Sequence, residues 1–217
     1  MSDNFIELHQ VTTSRGLFPI LSGFTLSVSR GQFLDLYGPT GCGKTTVLKV
    51  IAGLVRPAAG SVLVAGQDLS RLSAGQLRAM RRSFGFMSLE TLPQDDETLE
   101  NAVLLPALLA GYSLGEARRL TAQALGLCGL TPLASERLHS LSNGTRQLAC
   151  LALALVHQPM LILADEPTAR LDAQKTQLVM SLLGQYARQG GAVIAVSSAP
   201  LPAAGVLAID MEKLHHA

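Results

Sequence analysis

The sequence predicts an α/β fold with a mainly parallel sheet, an N-terminal antiparallel β subdomain and an inserted α-helical subdomain. Three observations in the 217 residues carry that prediction. Met160 to Ala164 and Val193 to Val196 are short, unbroken apolar runs of the kind found in strands buried on both faces. Such strands alternate with helix-like stretches, and strands separated by helices pair in parallel. The strand-like Gln32 to Tyr37 leads into Gly38-Pro39-Thr40-Gly41-Cys42-Gly43-Lys44-Thr45, which fits G-x-x-x-x-G-K-[ST] in the strand-to-helix setting that loop requires.

In chain order, Phe5 to Val11 and Leu21 to Ser29 alternate apolar and polar residues around a turn-rich Thr12 to Pro19. This is the pattern of antiparallel strands with one wet face. After a first helix, Thr45 to Ala52, the pattern continues in Ser61 to Ala65 and Gly66-Gln67-Asp68. From about Ser73 the period becomes helical: Ser73-x-x-Gln76 and Ser113-x-x-Glu116 read as capping boxes, and Gly115 to Leu125 carries apolar residues at helical intervals. A strand near Phe84 to Ser88 precedes a mainly helical stretch. Within it, Pro93 to Glu97 is an acidic, breaker-rich loop, and Thr98 to Ala110 is a packed helix despite Pro106. A helix over Gln147 to Val156 follows, then the strand at Met160, a helix over Gln174 to Gln189, a Gly190-Gly191 turn and the strand at Val193. The expected organisation is one domain over 1–217, with an α/β core in 1–87 and 158–217 and a helical insertion in 88–157.

Composition narrows the function. A hydrophobic content of 48% supports a buried core, and a net charge of +1 with 15% charged residues excludes an electrostatic nucleic-acid binder, which needs a strong basic excess. Weak charge suggests instead apolar surface covered by a partner. The longest apolar run, Leu148 to Val156, is well short of the roughly 18 to 20 residues that span a bilayer. Met1-Ser2-Asp3-Asn4 has neither a basic nor an apolar signal region, which points to the cytoplasm. Cys42, Cys128 and Cys150 lack metal spacing and read as free thiols, and His215 and His216 read as solvated residues.

The phosphate loop carries the chemistry. Its glycines let backbone N–H groups converge on phosphate oxygens at a helix N-terminus. Lys44 supplies a point charge for the outer phosphates, Thr45 a hydroxyl for Mg²⁺, and Thr46 a donor for the inner phosphates. Downstream, Met160-Leu161-Ile162-Leu163-Ala164-Asp165-Glu166 ends a strand in two carboxylates, a Walker B pattern. Asp165 is assigned to Mg²⁺ and Glu166 to the attacking water, the alternative being an acidic helix start before Pro167.

Between these motifs stands Leu141-Ser142-Asn143-Gly144-Thr145, and after them Ala164-Asp165-Glu166-Pro167-Thr168 and Ala169-Arg170-Leu171-Asp172. In this ordered set the chain resembles the ATP-binding cassette family, a P-loop NTPase fold with an L-S-G-G-Q signature, an A-D-E-P-T segment and a D-loop. Gly66-Gln67-Asp68-Leu69-Ser70-Arg71-Leu72, Arg81-Arg82 and Leu105 to Gly111 look like the branch of lipoprotein-releasing, macrolide-exporter and cell-division ATPases. The resemblance implies ATP and Mg²⁺ as ligands, and an integral-membrane permease subunit on the cytoplasmic face of the inner membrane as a partner. It also implies a second cassette, identical or different, packed head to tail. Ser142 and Gly144 would then touch the other subunit's γ-phosphate, and Asp172 would lie at the dimer seam. Ser142 also reads as an ordinary helix N-cap.

The chain departs from that pattern at several positions. Leu89 stands where the family places a Gln, with Glu90 and Gln94 nearby, and Ser198 stands where it places a switch His. A hydroxyl can hydrogen-bond a phosphate but cannot carry the imidazolium charge. Asn143 and Thr145 alter the signature, and Leu148 and Leu153 occupy positions where arginines are common. Arg15, with Phe18 nearby, aligns with the adenine-stacking aromatic, and a guanidinium plane can serve that role. The expected function is an ATP-binding subunit of a membrane complex with slow hydrolysis. The alternative is a regulatory subunit that closes on ATP with little or no turnover.

Overall fold

In the computed structural model, which describes residues 4–16, 18–93 and 96–214, the N-terminal alternation becomes a long hairpin. The strand β1 (Asn4–Arg15) pairs antiparallel with β2 (Phe18–Ser29), from Asn4 opposite Ser29 to Arg15 opposite Phe18. The connecting turn is therefore much shorter than the expected Thr12 to Pro19. Register shifts fall between Leu8 and Val11 and again before Thr13, with Gln10 at φ 49°. Bulges break the two-residue period, which is why a continuing strand reads as a turn.

Two units divide the chain, one of Met1–Arg81 with Tyr186–Ala217 and one of Arg82–Gln185. In the first, β3 (Phe33–Tyr37) leads to α1 (Lys44–Ile51), and β4 (Ala59–Val64) then joins the free edge of β1. Gly60 permits that approach: a Cβ there would lie 2.4 Å from the Gln10 carbonyl oxygen. With β5 (Gln67–Asp68) the antiparallel order is β2-β1-β4-β5, and α2 (Ala74–Arg81) follows, opened by the expected Ser73–Gln76 capping box.

The second unit pairs β6 (Phe84–Met87) in parallel with β7 (Leu161–Asp165). Between them run α3 (Leu99–Leu109), α4 (Leu114–Leu127) and α5 (Asn143–Leu155), which pack on one another. Pro106 lies inside α3, and Ser113 with Glu116 forms the predicted capping box of α4. Leu148 to Ala154 of α5 are all buried. Gly85 lets β6 come close to this helix, since a Cβ would stand 2.3 Å from the Ala154 carbonyl oxygen. The helix α6 (Ala173–Arg188) leads back to the first unit.

There β3 lies between β8 (Ala192–Ser197) and β9 (Val206–Asp210), parallel to both, and α7 (Met211–Leu214) closes the described chain. Every residue of β8 is buried, whereas β9 is half-buried to exposed. The strand β9 has no counterpart in the sequence reading. Val206 to Ile209 form an unbroken apolar run like that of β8, and what sets β9 apart is its exposure at the edge of the sheet.

Candidate nucleotide site

The phosphate loop is built on glycine conformations. Gly38 has φ 155°, and Gly41 and Gly43 each have φ 92°, a region that L side chains enter only under strain. Gly43 is the N-cap of α1, its carbonyl accepting the Val47 amide at 3.0 Å. A Cβ on Gly43 would stand 3.1 Å from the Ile20 carbonyl oxygen, whereas one on Gly41 would project into open space. Gly38 packs on Met211, whose Cβ would lie 3.5 Å from an added Cβ.

Lys44 is buried at the start of α1. Its ammonium donates to the carbonyl oxygens of Gly38 at 2.5 Å and Pro39 at 2.8 Å, so its charge is held on the loop itself. Pro39, Thr40 and Gly41 are exposed, and Cys42, Thr45 and Thr46 are half-buried around the same helix start. A cation, a helix N-terminus and side-chain-free backbone at Gly41 together suit a polyphosphate. Ser197 and Ser198 belong to the same unit. Gly38 N–H donates to the Ser197 carbonyl at 3.2 Å, and Ser198 follows directly, exposed. The backbone of Arg15 ends β1, but its side chain lies outside the described structure, as does Gln94. Phe18, opposite Arg15 in the hairpin, is 78% exposed.

In the second unit, Asp165 ends β7 half-buried, and Glu166 turns the chain with φ 48°. That left-handed backbone costs a non-glycine residue about 1 to 3 kcal/mol and is held by its surroundings. Gln147, buried on α5, donates from Nε2 to the Glu166 carbonyl at 2.9 Å. The helix α5 starts at Asn143, four residues ahead of the expected Gln147. Ser142 caps it, its Oγ accepting the Thr145 amide at 3.2 Å. The aliphatic chain of Lys175 runs past Gly144, at an ordinary van der Waals 3.6 Å from a notional Cβ. Its ammonium pairs with Asp172 at 2.8 Å, and that contact holds the Asp172 carboxyl below its usual range. Asp172 thus caps α6, its Oδ1 accepting the Lys175 amide.

Leu89 opens a short 3₁₀ turn capped by Ser88 and is half-buried, with Glu90 exposed beside it. Leu148 and Leu153 are core residues of α5, so apolar side chains at those positions pack rather than reach solvent. Burial pushes the Cys128 and Cys150 thiols up to about 12. Two residues escaped the sequence reading. Gln147 was visible as a polar side chain inside an apolar helix, and Asp35 as a carboxylate inside an apolar strand.

A β-strand, a glycine phosphate loop and a helix start in the first unit are the parts of a P-loop nucleotide site, and the second unit carries a helix capped by Ser142 and the strand-end pair Asp165 and Glu166. Residues 21–169 match the sequence profile of the ABC transporter family, and the chain belongs to that family. It is similar to the lipoprotein-releasing system ATP-binding protein LolD of Bacteroides thetaiotaomicron, 37% identical over 174 residues that cover 79% of each protein. It is also similar to the macrolide export ATP-binding/permease protein MacB of Marinobacter nauticus, 36% identical over 202 residues. That match covers 90% of this chain and 31% of MacB, so the chain spans about a third of that relative. Among solved structures, dimeric MJ0796, a bacterial ABC transporter cassette, superposes with a TM-score of 0.83 at 28% identity, covering 89% of this chain and 88% of that one. A dimeric post-hydrolysis state of MJ0796 bound to ADP and Pi gives 0.81 at 29% identity, covering 88% and 87%. Among the described residues no helix is long and apolar enough to cross a membrane.

Proposed function

We propose that this chain is the ATP-binding subunit of a membrane transport complex, and that ATP-driven pairing with a second cassette is coupled to an integral-membrane partner. The observation that carries the reading is the phosphate loop, where Lys44 is held on the Gly38 and Pro39 carbonyls while Gly41 leaves the approach open. Lys44 and the backbone of Gly38 to Thr46 bind the polyphosphate. Thr45 and Asp165 supply oxygen ligands for Mg²⁺, which when bound neutralises charge on the phosphates. Glu166 orients the attacking water, and the adenine-stacking role falls to Arg15 by its place in the sequence. Ser142 and Gly144 close on nucleotide held by the second cassette, which is the same chain or a different one. The cassette lies peripherally on the cytoplasmic face of the membrane, and no nucleic acid is involved.

Turnover is slow, because Ser198 offers a hydroxyl where the family uses an imidazole. Positioned acid–base groups contribute about 10²- to 10⁴-fold in rate. The same substitution, with Leu89, favours a second reading in which the chain closes on ATP as a regulatory subunit. Glu166→Gln separates the two in the assembled complex. Loss of transport with loss of phosphate release supports the ATPase, and unchanged function supports the regulator. If light scattering shows that Glu166→Gln with Mg-ATP pairs with neither itself nor a candidate second cassette, the closure model is wrong.

A further inference from the structure

Asp35 lies in the middle of β3, wholly buried, just ahead of the phosphate loop. The residues opposite it on the two flanking strands are Ala195 and Ala208, which carry no charge. Its side-chain contacts lie in the turn that follows β8. Oδ1 is 2.7 Å from Ser197 Oγ, and Oδ2 accepts the Leu201 amide at 2.9 Å. Ser197 Oγ is in turn 2.8 Å from the Ala199 carbonyl oxygen.

Counting hydrogens favours the neutral acid. A serine hydroxyl has one hydrogen, and a carbonyl oxygen can only accept. With an ionised Asp35, that single hydrogen either serves one short contact and leaves the other joining two acceptors, or is split between both in a three-centre bond that is weaker to each. With a protonated Asp35 every group is used once. The carboxyl O–H donates to Ser197 Oγ, the Ser197 hydroxyl donates to the Ala199 carbonyl, and the Leu201 amide donates to the remaining carboxyl oxygen. Burial acts in the same direction and raises Asp35 above the usual carboxylate range, against the pull of the two hydrogen bonds and of the Lys44 ammonium.

We propose that Asp35 is a neutral carboxylic acid whose hydrogen-bond chain fixes the turn from Ser197 to Leu201, which makes it a positioning residue for Ser198. Both ends of that turn are tied to β3 and its loop, through Asp35 to Ser197 and Leu201 and through the Gly38 amide to the Ser197 carbonyl. Ser198 sits between the tied ends, so its place follows the strand that delivers the phosphate loop. The functional consequence rests on reading Ser198 as the switch position; the structural test does not.

The test compares infrared spectra and amide exchange of the full chain at neutral pH with those of Asp35→Asn, Asp35→Ala and Ser197→Ala. The carbonyl band of a protonated carboxylic acid is expected in the parent and absent from Asp35→Asn. The amide of Asn mimics the neutral acid, donating to Ser197 and accepting from Leu201, so Leu201 exchange stays at the parent rate there. Asp35→Ala and Ser197→Ala speed that exchange roughly tenfold or more. Absence of the acid band, or Leu201 exchange in Asp35→Asn as fast as in Ser197→Ala, overturns the proposal. Both readouts work without ATP turnover, so failure of the ATPase reading leaves them intact. If Asp35→Ala does not fold, Asp35→Asn and Ser197→Ala still decide it.

Discussion

Gln147 Nε2 donates to the carbonyl oxygen of Glu166 at 2.9 Å, so the helix that begins at the signature holds the backbone of the strand-end carboxylate. Glu166 is also the residue with the left-handed φ of 48°. One buried amide therefore supports the strained turn on which the proposed water-orienting carboxylate is mounted.

Gln147→Leu keeps the volume and removes the donor. The net worth of such a hydrogen bond is about 0.5 to 1.5 kcal/mol, and a loss of that size is expected in urea unfolding. Phosphate release is expected to fall more steeply, with KM for ATP little changed, because Glu166 loses its orientation while the Lys44 loop is untouched. A variant with unchanged turnover would show that the contact is structural only.

Gly41→Ala and Gly43→Ala separate folding from binding at the phosphate loop. Both glycines have φ 92°, but only Gly43 faces backbone, at 3.1 Å from the Ile20 carbonyl oxygen to a notional Cβ. Gly43→Ala is expected to cost about 1 to 3 kcal/mol of stability from left-handed strain and crowding. Gly41→Ala carries the strain without the crowding, so it is the more stable of the two yet still binds a fluorescent ATP analogue more weakly than the parent. Equal stability losses in the two variants would contradict the geometry.

His157 gives the fold a pH dependence. Burial lowers its pKa from the ordinary 6.5, against a contact between Nε2 and the Phe84 carbonyl at 3.1 Å. A base with a depressed folded pKa binds fewer protons folded than unfolded, so its contribution is present above about 6.5 and is lost as pH falls toward the folded value. Urea unfolding across that window should show the parent losing more stability on acidification than His157→Phe. Identical pH slopes would mean that His157 titrates normally.

Much of this was legible in the sequence because the responsible forces are local. The Ser73–Gln76 and Ser113–Glu116 boxes cap helices by contacts three residues apart, and the phosphate loop announces itself through its glycines and Lys44. What was hidden depends on partners far along the chain. The continuation of β1 through Thr13 needs Gly60 on β4 to accommodate a bulge, and β9 is a strand because β3 offers it an edge. Gln147 and Asp35 have meaning only once Glu166 and Ser197 are brought to them.

The most direct measurement is steady-state phosphate release by the purified chain with Mg-ATP, beside Lys44→Ala and Glu166→Gln. Slow turnover that both substitutions abolish is the predicted result, with nucleotide binding lost in Lys44→Ala and kept in Glu166→Gln. Phosphate release that neither substitution alters, or nucleotide binding that survives Lys44→Ala at full strength, would contradict the assignment of this loop and carboxylate as the site of an ATPase.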